Sequence, residues 1–195
     1  MATTRIGISV FEGVEELDLA GPYEVLSSWA RFTDRPMEVF TIGASTEEVR
    51  GSHGLRLVPD RSWDAVDGLD VFVLPGGRSG PQLTDEPFLR RLRDLSASGT
   101  LMTSVCTGAV VFAAAGLLNG LPATTHWGSL ESLAQYGNGV EVRPDERYVD
   151  AGHVITSQGV SAGIDMGLYL VKRLESAERA REIRRYIQYD PEPPV

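Results

Sequence analysis

The feature that most constrains the fold is the stretch from Leu101 to Gly116, LMTSVCTGAVVFAAAG, which contains the only cysteine of the chain. An apolar run of β-forming character, Leu101 to Val105, changes there into small, helix-forming residues from Ala109 to Ala115. This change of pattern predicts a strand, a sharp turn and a helix. Cys106 lies in the turn.

The predicted turn gives Cys106 a chemical use. The first backbone N–H groups of a helix have no acceptor within the helix and carry a positive partial charge. We therefore expect the pKa of the thiol to be lowered, so that a thiolate attacks carbon. Thr107 and Gly108 suit the bend, because Thr107 can hydrogen-bond locally and Gly108 lets a substrate approach the backbone. The alternative is that Cys106 is a small buried hydrophobic residue, which is common for free cysteine.

Length, charge and cysteine content narrow the class of protein. The 195 residues suit one compact α/β domain, expected over residues 1–195, and one cysteine excludes an internal disulfide. The N-terminus lacks the pattern of a signal peptide and no long apolar segment is present, so we expect a cytoplasmic protein. The net charge of −9 argues against nucleic acid or an anionic membrane as a partner.

Strand patterns alternate with helix patterns along the chain. The predicted strands are Arg5–Val10, Met37–Ile42, a short one within Gly51–Val58, Asp70–Leu74, Leu101–Val105, Val140–Val142, Arg147–Asp150 and Val154–Thr156. The predicted helices are Pro22–Ala30, Pro87–Ser96, Ala109–Ala115, Trp127–Tyr136, Gly163–Leu174 and Ser176–Ile187, and the tail DPEPPV is neither helix nor central strand. This order predicts a three-layer α/β sandwich around a mostly parallel, doubly wound, flavodoxin-like sheet, with the cysteine on a nucleophile elbow.

Three loops are expected to meet at one edge of that sheet. Residues 11–21, 75–80 and 104–108 each follow a predicted strand and are rich in glycine or acidic residues. In doubly wound sheets, ligands bind beyond the carboxyl ends of the strands, where the strand order reverses. The sequence therefore predicts one site built from these loops.

Asp18 is the candidate acid of this site. It lies between two leucines in the loop before Pro22, which is predicted to be the first residue of a helix. Loss of hydration there raises the pKa of a carboxyl group, which suits a proton donor. The alternative role is helix capping. Glu15 and Glu16 are weaker candidates because they form a solvated-looking acidic pair.

Other residues are candidates for binding rather than for covalent chemistry. Backbone N–H groups of Gly76 and Gly77 can face a developing negative charge. His126, followed by Trp127, is placed to line the pocket, although a structural histidine is the alternative. His53 and His153 are expected at the surface, and the three histidines have no metal-ligand spacing. No glycine-rich phosphate loop is present, so neither a metal nor a nucleotide cofactor is expected.

Several motifs together resemble a known family. LDLAGPYEVL, LPGG, TSVCTGA, AAGLLNGLPATTHW, SAGIDMGL and QYDPEPPV are similar to segments of the ThiJ/PfpI superfamily, whose fold is that of class I glutamine amidotransferases. Within it they resemble isonitrile hydratases, cysteine enzymes that convert R–N≡C to the N-formamide. The similarity extends over nearly the whole chain, and the segment from Thr103 to Trp127 is its most specific part.

The resemblance implies roles for individual residues. Cys106 is then the nucleophile, Asp18 the general acid and base, and Thr107 the residue that positions one of them. It also implies a small-molecule substrate, no cofactor and a homodimer. One departure concerns Gln158, which lies where the hydratases are rich in glycine, and it is expected to affect the substrate range.

The same residues also suit other functions. Proteases of the superfamily commonly carry histidine directly after the cysteine, and this chain has Thr107. Glyoxalase or deglycase chemistry on α-oxoaldehydes would use the same Cys106, with His126 as a helper. A ligand-sensing domain is a third reading, because AraC-type regulators contain similar segments, but they continue into a DNA-binding region and this chain ends at Val195. A redox sensor, with Cys106 oxidised reversibly, is a fourth.

Overall fold

The protein is described here by a computed structural model that covers residues 2–192. The strands are β1 (Thr4–Ser9), β2 (Met37–Gly43), β3 (Val49–Arg50), β4 (Arg56–Leu57), β5 (Arg61–Ser62), β6 (Val71–Leu74), β7 (Leu101–Val105), β8 (Pro122–Ala123), β9 (Glu141–Val142), β10 (Tyr148–Asp150) and β11 (Val154–Ser157). The α-helices are α1 (Glu16–Phe32), α2 (Glu86–Ala97), α3 (Gly108–Ala114), α4 (Leu130–Tyr136), α5 (Ala162–Leu174) and α6 (Ala177–Tyr186). No helix within the described range is long and apolar enough to cross a bilayer.

The central sheet is doubly wound, as predicted. Its strands lie in the order β10-β11-β7-β6-β1-β2-β5, and every neighbouring pair is parallel except β10 with β11. The strand order reverses between β1 and β6, where the chain turns from one side of β1 to the other. The carboxyl ends of β1, β6 and β7 therefore lie side by side at the switch point of the sheet.

Helices cover both faces of the sheet and make the three predicted layers. Strand β6 is buried along its whole length, with Val71 and Val73 on one face and Phe72 and Leu74 on the other. Helices α1 and α5 pack on the first face and α2 and α3 on the second. A strand covered on both faces has to be apolar at every position, which explains the unbroken apolar run.

Helix α1 differs from the prediction at its start. It begins at Glu16 instead of Pro22, so Pro22 lies inside the helix. The N–H of Glu15, the N-cap residue of this helix, donates to the carbonyl of Gly76 at 2.9 Å. This long-range hydrogen bond places the beginning of α1 against the loop after β6, and local sequence carries no signal for it.

The turn between β7 and α3 is as sharp as the pattern predicts. Cys106 has a φ of 57°, a left-handed conformation that is uncommon for a residue with a side chain. Gly108 begins α3 so close to β6 that a Cβ there would overlap the carbonyl oxygen of Leu74. The elbow is therefore built by close packing of α3 on the end of β6. The last residues of the proline-rich tail, 193–195, lie outside the described range.

Candidate active site

The three predicted loops meet at the switch point. The N–H of Gly76, after β6, donates to Oδ2 of Asp18 at 2.9 Å. The next N–H, that of Gly77, donates to Oγ1 of Thr107 at 3.1 Å, and the hydroxyl of Ser79 lies 3.1 Å from the same oxygen. The loop at 75–80 therefore joins Asp18 to the turn that contains Cys106 and Thr107.

Asp18 is a residue of the first turn of α1, so its predicted place in a loop is wrong. Its side chain is completely buried. Burial raises the pKa of this carboxyl group to about 7, and the charge of Glu15 adds to the rise. Hydrogen bonds from the Gly76 N–H and the Cys106 thiol act in the opposite direction. The second carboxyl oxygen, Oδ1, has no hydrogen-bond partner among residues 2–192.

Cys106 is a thiol of raised pKa, contrary to the prediction of a lowered one. Burial is the main cause, and with the nearby charge of Asp18 it raises the pKa to about 12. The N–H of Thr107 donates to the sulfur and lowers the pKa, which is the effect expected of a helix start, but it is the smaller influence. Desolvation of a 7% exposed side chain outweighs one backbone dipole.

The protonation states of Asp18 and Cys106 depend on each other, because each side chain shifts the pKa of the other. Near pH 7 the pair passes from two protons to one, and over a wide range above that it carries a single proton. A single proton can lie on the sulfur or on the carboxylate without any change in the total charge. The pair can therefore form a thiolate and a carboxylic acid together, which is what addition of S–H across a multiple bond requires.

Gly76 and Gly77 do not provide the free N–H groups that the sequence predicts. Both N–H groups are already engaged, with Asp18 and with Thr107 respectively. The reason is the close approach of the two neighbouring loops, since a Cβ on Gly76 would lie 2.6 Å from the nitrogen of Thr107. These glycines therefore hold the acid and the turn in place, and Thr107 accepts the second of the two hydrogen bonds.

A pocket of about 260 Å³ opens above the thiol. Its lining residues are Glu15, Ser52, Gly77, Arg78, Cys106, Thr107, His126 and Val160. His126 lies in this wall, and its Nδ1 accepts a hydrogen bond from the N–H of Gly128 at 3.1 Å. Trp127 is not a lining residue, contrary to prediction, because the chain turns there and leaves its side chain 79% exposed.

Gly159 is a site residue that sequence reasoning missed. A Cβ on it would lie 2.9 Å from Sγ of Cys106 and 2.7 Å from Cδ2 of His126, so the backbone itself covers the thiol. Its only local signal is a glycine just after a buried strand. The neighbouring Gln158 turns away from the pocket and donates from Nε2 to the carbonyl of Pro144 at 2.6 Å.

A second cluster lies beside the pocket. The hydroxyl of Ser52 donates to Glu15 at 2.7 Å and to Glu16 at 3.0 Å, and Nδ1 of His53 lies 2.9 Å from Glu16. Ligand atoms of Glu15, Glu16 and His53 lie within 4.8 Å of one another, a grouping that can hold a metal ion. The hydrogen bonds of Ser52 and His53 with the two carboxylates already explain why these groups lie close together. Sequence spacing gave no hint of it, because a turn between β3 and β4 brings His53 back to the start of α1.

Comparison with known proteins identifies the family. The profile of the DJ-1/PfpI family matches residues 4–173. The chain belongs to the DJ-1/PfpI family. Among its relatives, isonitrile hydratase of Pseudomonas putida is 37% identical over 191 residues, which span 97% of this chain and 80% of that protein. Glutathione-independent glyoxalase DJR-1.2 of Caenorhabditis elegans is 28% identical over 150 residues, 75% of this chain and 78% of the relative.

A solved structure of the family has the same fold. The crystal structure of a ThiJ/PfpI family protein from Pseudomonas syringae superposes with a TM-score of 0.89 at 31% sequence identity. The match covers 100% of this chain and 78% of the other. The fold class and the family that the motifs indicate are therefore confirmed.

Proposed function

We propose that this protein is an isonitrile hydratase, which adds water to R–N≡C and releases the N-substituted formamide. The observation that carries the proposal is the buried Asp18 and Cys106 pair with its transferable proton, because Cys106 lines a small pocket and Asp18 lies buried next to it. Similarity to isonitrile hydratase over nearly the whole chain supports an enzyme of the DJ-1/PfpI family. The substrate fits this site because its terminal carbon needs a nucleophile and a proton together.

The first half of the reaction forms a covalent intermediate. The Asp18 carboxylate accepts the thiol proton, and the Cys106 sulfur attacks the terminal carbon of the isonitrile. Asp18 returns the proton to the same carbon as the C–S bond forms. The product is a thioimidate, R–N=CH–S–Cys106, in which the isonitrile has gained the sulfur and hydrogen of the thiol and nothing else has been consumed. The N–H of Thr107 directed at the sulfur stabilises the thiolate before attack.

The second half releases the formamide. Asp18, ionised again, removes a proton from water as the water oxygen adds to the thioimidate carbon, and passes that proton to the nitrogen, which gives the adduct R–NH–CH(OH)–S–Cys106. The adduct then breaks its C–S bond: the hydroxyl proton passes through Asp18 to the leaving sulfur, the C=O bond forms, and R–NH–CHO is released. One carboxyl group serves both steps, and the reaction as written uses only Asp18, Cys106 and water.

The deciding experiment measures formamide production from cyclohexyl isonitrile by the wild type, Cys106→Ala and Asp18→Asn. We expect no turnover in C106A, and a loss in D18N of about a hundredfold or more with the fold retained, the size typical of a lost general acid. The control is Asp64→Asn, an exposed acid away from the site, which should match the wild type. Activity near the wild-type level in either site variant would contradict the proposed scheme.

Glyoxalase chemistry is a second candidate because a relative carries that name and His126 lies in the pocket beside the thiol. An α-oxoaldehyde such as methylglyoxal would form a hemithioacetal with Cys106, and a base would then move the proton between its two carbons. Release of lactate from methylglyoxal, with no formamide from the isonitrile, would favour this function over the hydratase.

A further inference from the structure

Part of the pocket lining carries charged side chains. Glu15, Ser52 and Arg78 line the pocket together with the buried Cys106, and Ser52 is hydrogen-bonded to both of the other two. We call these three residues the mouth. A substituent on a molecule that reacts with Cys106 in this pocket lies near their charges, whereas Asp18 and Cys106 lie near the reacting carbon.

Glu15 is the carboxylate whose position at the mouth is best defined. Its backbone N–H donates to the carbonyl of Gly76 at 2.9 Å, which holds the residue at the start of α1. Its side chain accepts from the hydroxyl of Ser52 at 2.7 Å and is 21% exposed. The charge is therefore held in one place and partly shielded from solvent, a setting in which a single charge acts more strongly than at an open surface.

The positive groups nearby compensate this charge only in part. His53 lies closer to Glu16, at 2.9 Å, than to Glu15, at 3.4 Å, and its side chain is 76% exposed. Arg78 is exposed, and one of its guanidinium nitrogens donates to the backbone carbonyl of Ser52 at 3.2 Å. Glu15 also raises the pKa of both Asp18 and Cys106, which shows that its negative charge reaches the reacting groups.

We propose that Glu15 is a specificity-determining residue that makes the pocket select against anionic reactants and in favour of neutral or cationic ones. For the proposed reaction, the preferred substrates are isonitriles whose substituent is neutral or carries an ammonium group, and isonitriles with a carboxylate near the reacting carbon are poor substrates. This naming of the substrate class rests on the proposed function, but the charge selection itself does not.

The first test uses alkylation of the single cysteine and needs no knowledge of the substrate. The rate constants for iodoacetate, an anion, and iodoacetamide, its neutral analogue, are measured for the wild type and Glu15→Gln. The ratio of the two rates cancels any change in thiolate fraction. We expect the iodoacetate to iodoacetamide ratio to rise about threefold to tenfold in E15Q and to fall in Arg78→Gln.

The matched control is Glu47→Gln, which makes the same change in net charge at an exposed residue outside the pocket. It should leave the ratio at the wild-type value. An unchanged ratio in E15Q, or an equal rise in E47Q, would overturn the proposal. The glutamine of E15Q can still accept the hydrogen bond from Ser52, so this variant removes the charge and keeps the contact. R78Q removes a positive charge from the same pocket, so its effect on the ratio should have the opposite sign.

The second test compares kcat/KM for cyclohexyl isonitrile, isocyanoacetate and 3-(dimethylamino)propyl isonitrile. In E15Q the ratio of kcat/KM for the neutral substrate to that for the anionic one should fall. The ratio of kcat/KM for the cationic substrate to that for the neutral one should fall as well. A shifted alkylation ratio with no turnover of any isonitrile would refute the hydratase function and leave the charge selection standing. Turnover with unshifted preferences would refute the substrate class alone.

Discussion

The most informative single residue is Asp18, whose chemistry is set by complete burial. In the proposed reaction, a carboxyl group with a pKa of about 7 beside a thiol with a pKa of about 12 makes the singly protonated pair the reactive form. In that form Asp18 can accept the thiol proton, whereas in the doubly protonated form it cannot. The reactivity of Cys106 therefore depends on its neighbour more than on its own place at a helix start.

This pair predicts the dependence of rate on pH. We expect kcat/KM to rise about tenfold per pH unit below pH 7 and to level off above it, because loss of the first proton creates the reactive form. Glu15→Gln should move the midpoint to lower pH, since the negative charge of Glu15 raises the pKa of Asp18. The measurement is kcat/KM between about pH 5 and about pH 9. A rate that falls through pH 7 would contradict it.

The same residue makes the free energy of unfolding depend on pH. Burial raises the pKa of Asp18 from 3.8 to about 7, so its favourable contribution is complete below pH 3.8 and is lost as the pH rises through 7. Between pH 3.8 and about 7, the free energy of unfolding of the wild type should fall by on the order of 4 kcal/mol relative to that of Asp18→Asn. Urea unfolding of both proteins at several pH values gives the difference. A constant difference would show that Asp18 is not desolvated as described.

At the scale of elements, α1 and α5 approach closely at glycine residues. A Cβ on Gly163 would lie 3.0 Å from Cδ of Pro22 and 3.2 Å from Cγ2 of Val105. The absence of a side chain there lets the start of α5 pack against both α1 and the end of β7. The position of α5 matters to the site because Val160, which lines the pocket, lies just before it.

Gly163→Ala should therefore destabilise the protein by about 1 to 3 kcal/mol, the usual cost of overpacking, because a proline ring cannot move aside as a flexible side chain can. Urea unfolding measures the change. The matched control is Gly68→Ala, since a Cβ on Gly68 meets nothing within 4 Å. G68A should be neutral or slightly stabilising, and equal effects of the two variants would contradict the packing argument.

At the scale of the whole molecule, the segment after α6 is tied to the loop that covers the thiol. The hydroxyl of Tyr189 lies 3.2 Å from both carboxylate oxygens of Asp165, which accepts from Nε of Arg147 at 2.7 Å. Arg147 also donates to the hydroxyl of Ser161 at 2.8 Å, and its carbonyl accepts from the N–H of Gln158 at 3.0 Å. Arg147 thus holds both sides of Gly159, which lies on the sulfur.

Arg147→Met should loosen this cover and increase the rate of alkylation of Cys106 by iodoacetamide several-fold. The free energy of unfolding should change little, by about 1 kcal/mol or less, because the ion pair is partly exposed. Arg143→Met is the control, since Arg143 pairs with Glu141 and Glu146 away from Ser161. Equal alkylation rates in R147M, R143M and the wild type would show that Arg147 does not hold the loop.

Local sequence determined the parts of this protein that depend on local chemistry. Apolar runs and helical spacing predicted the parallel sheet and its helices, and the change of pattern at Cys106 predicted the elbow, because strand and helix periods are properties of neighbouring residues. The convergence of three loops followed from the rule that parallel strands end at one edge.

Tertiary structure alone decided the state of the groups in the site. The pKa of Cys106, the occupied N–H groups of Gly76 and Gly77, and the exposure of Trp127 all differ from the predictions made for them. Each depends on burial or on a contact between residues far apart in the chain, such as Asp18 with Gly76. The grouping of Glu15 with His53 has the same origin. Desolvation and long-range hydrogen bonds are set by packing, which no local pattern encodes.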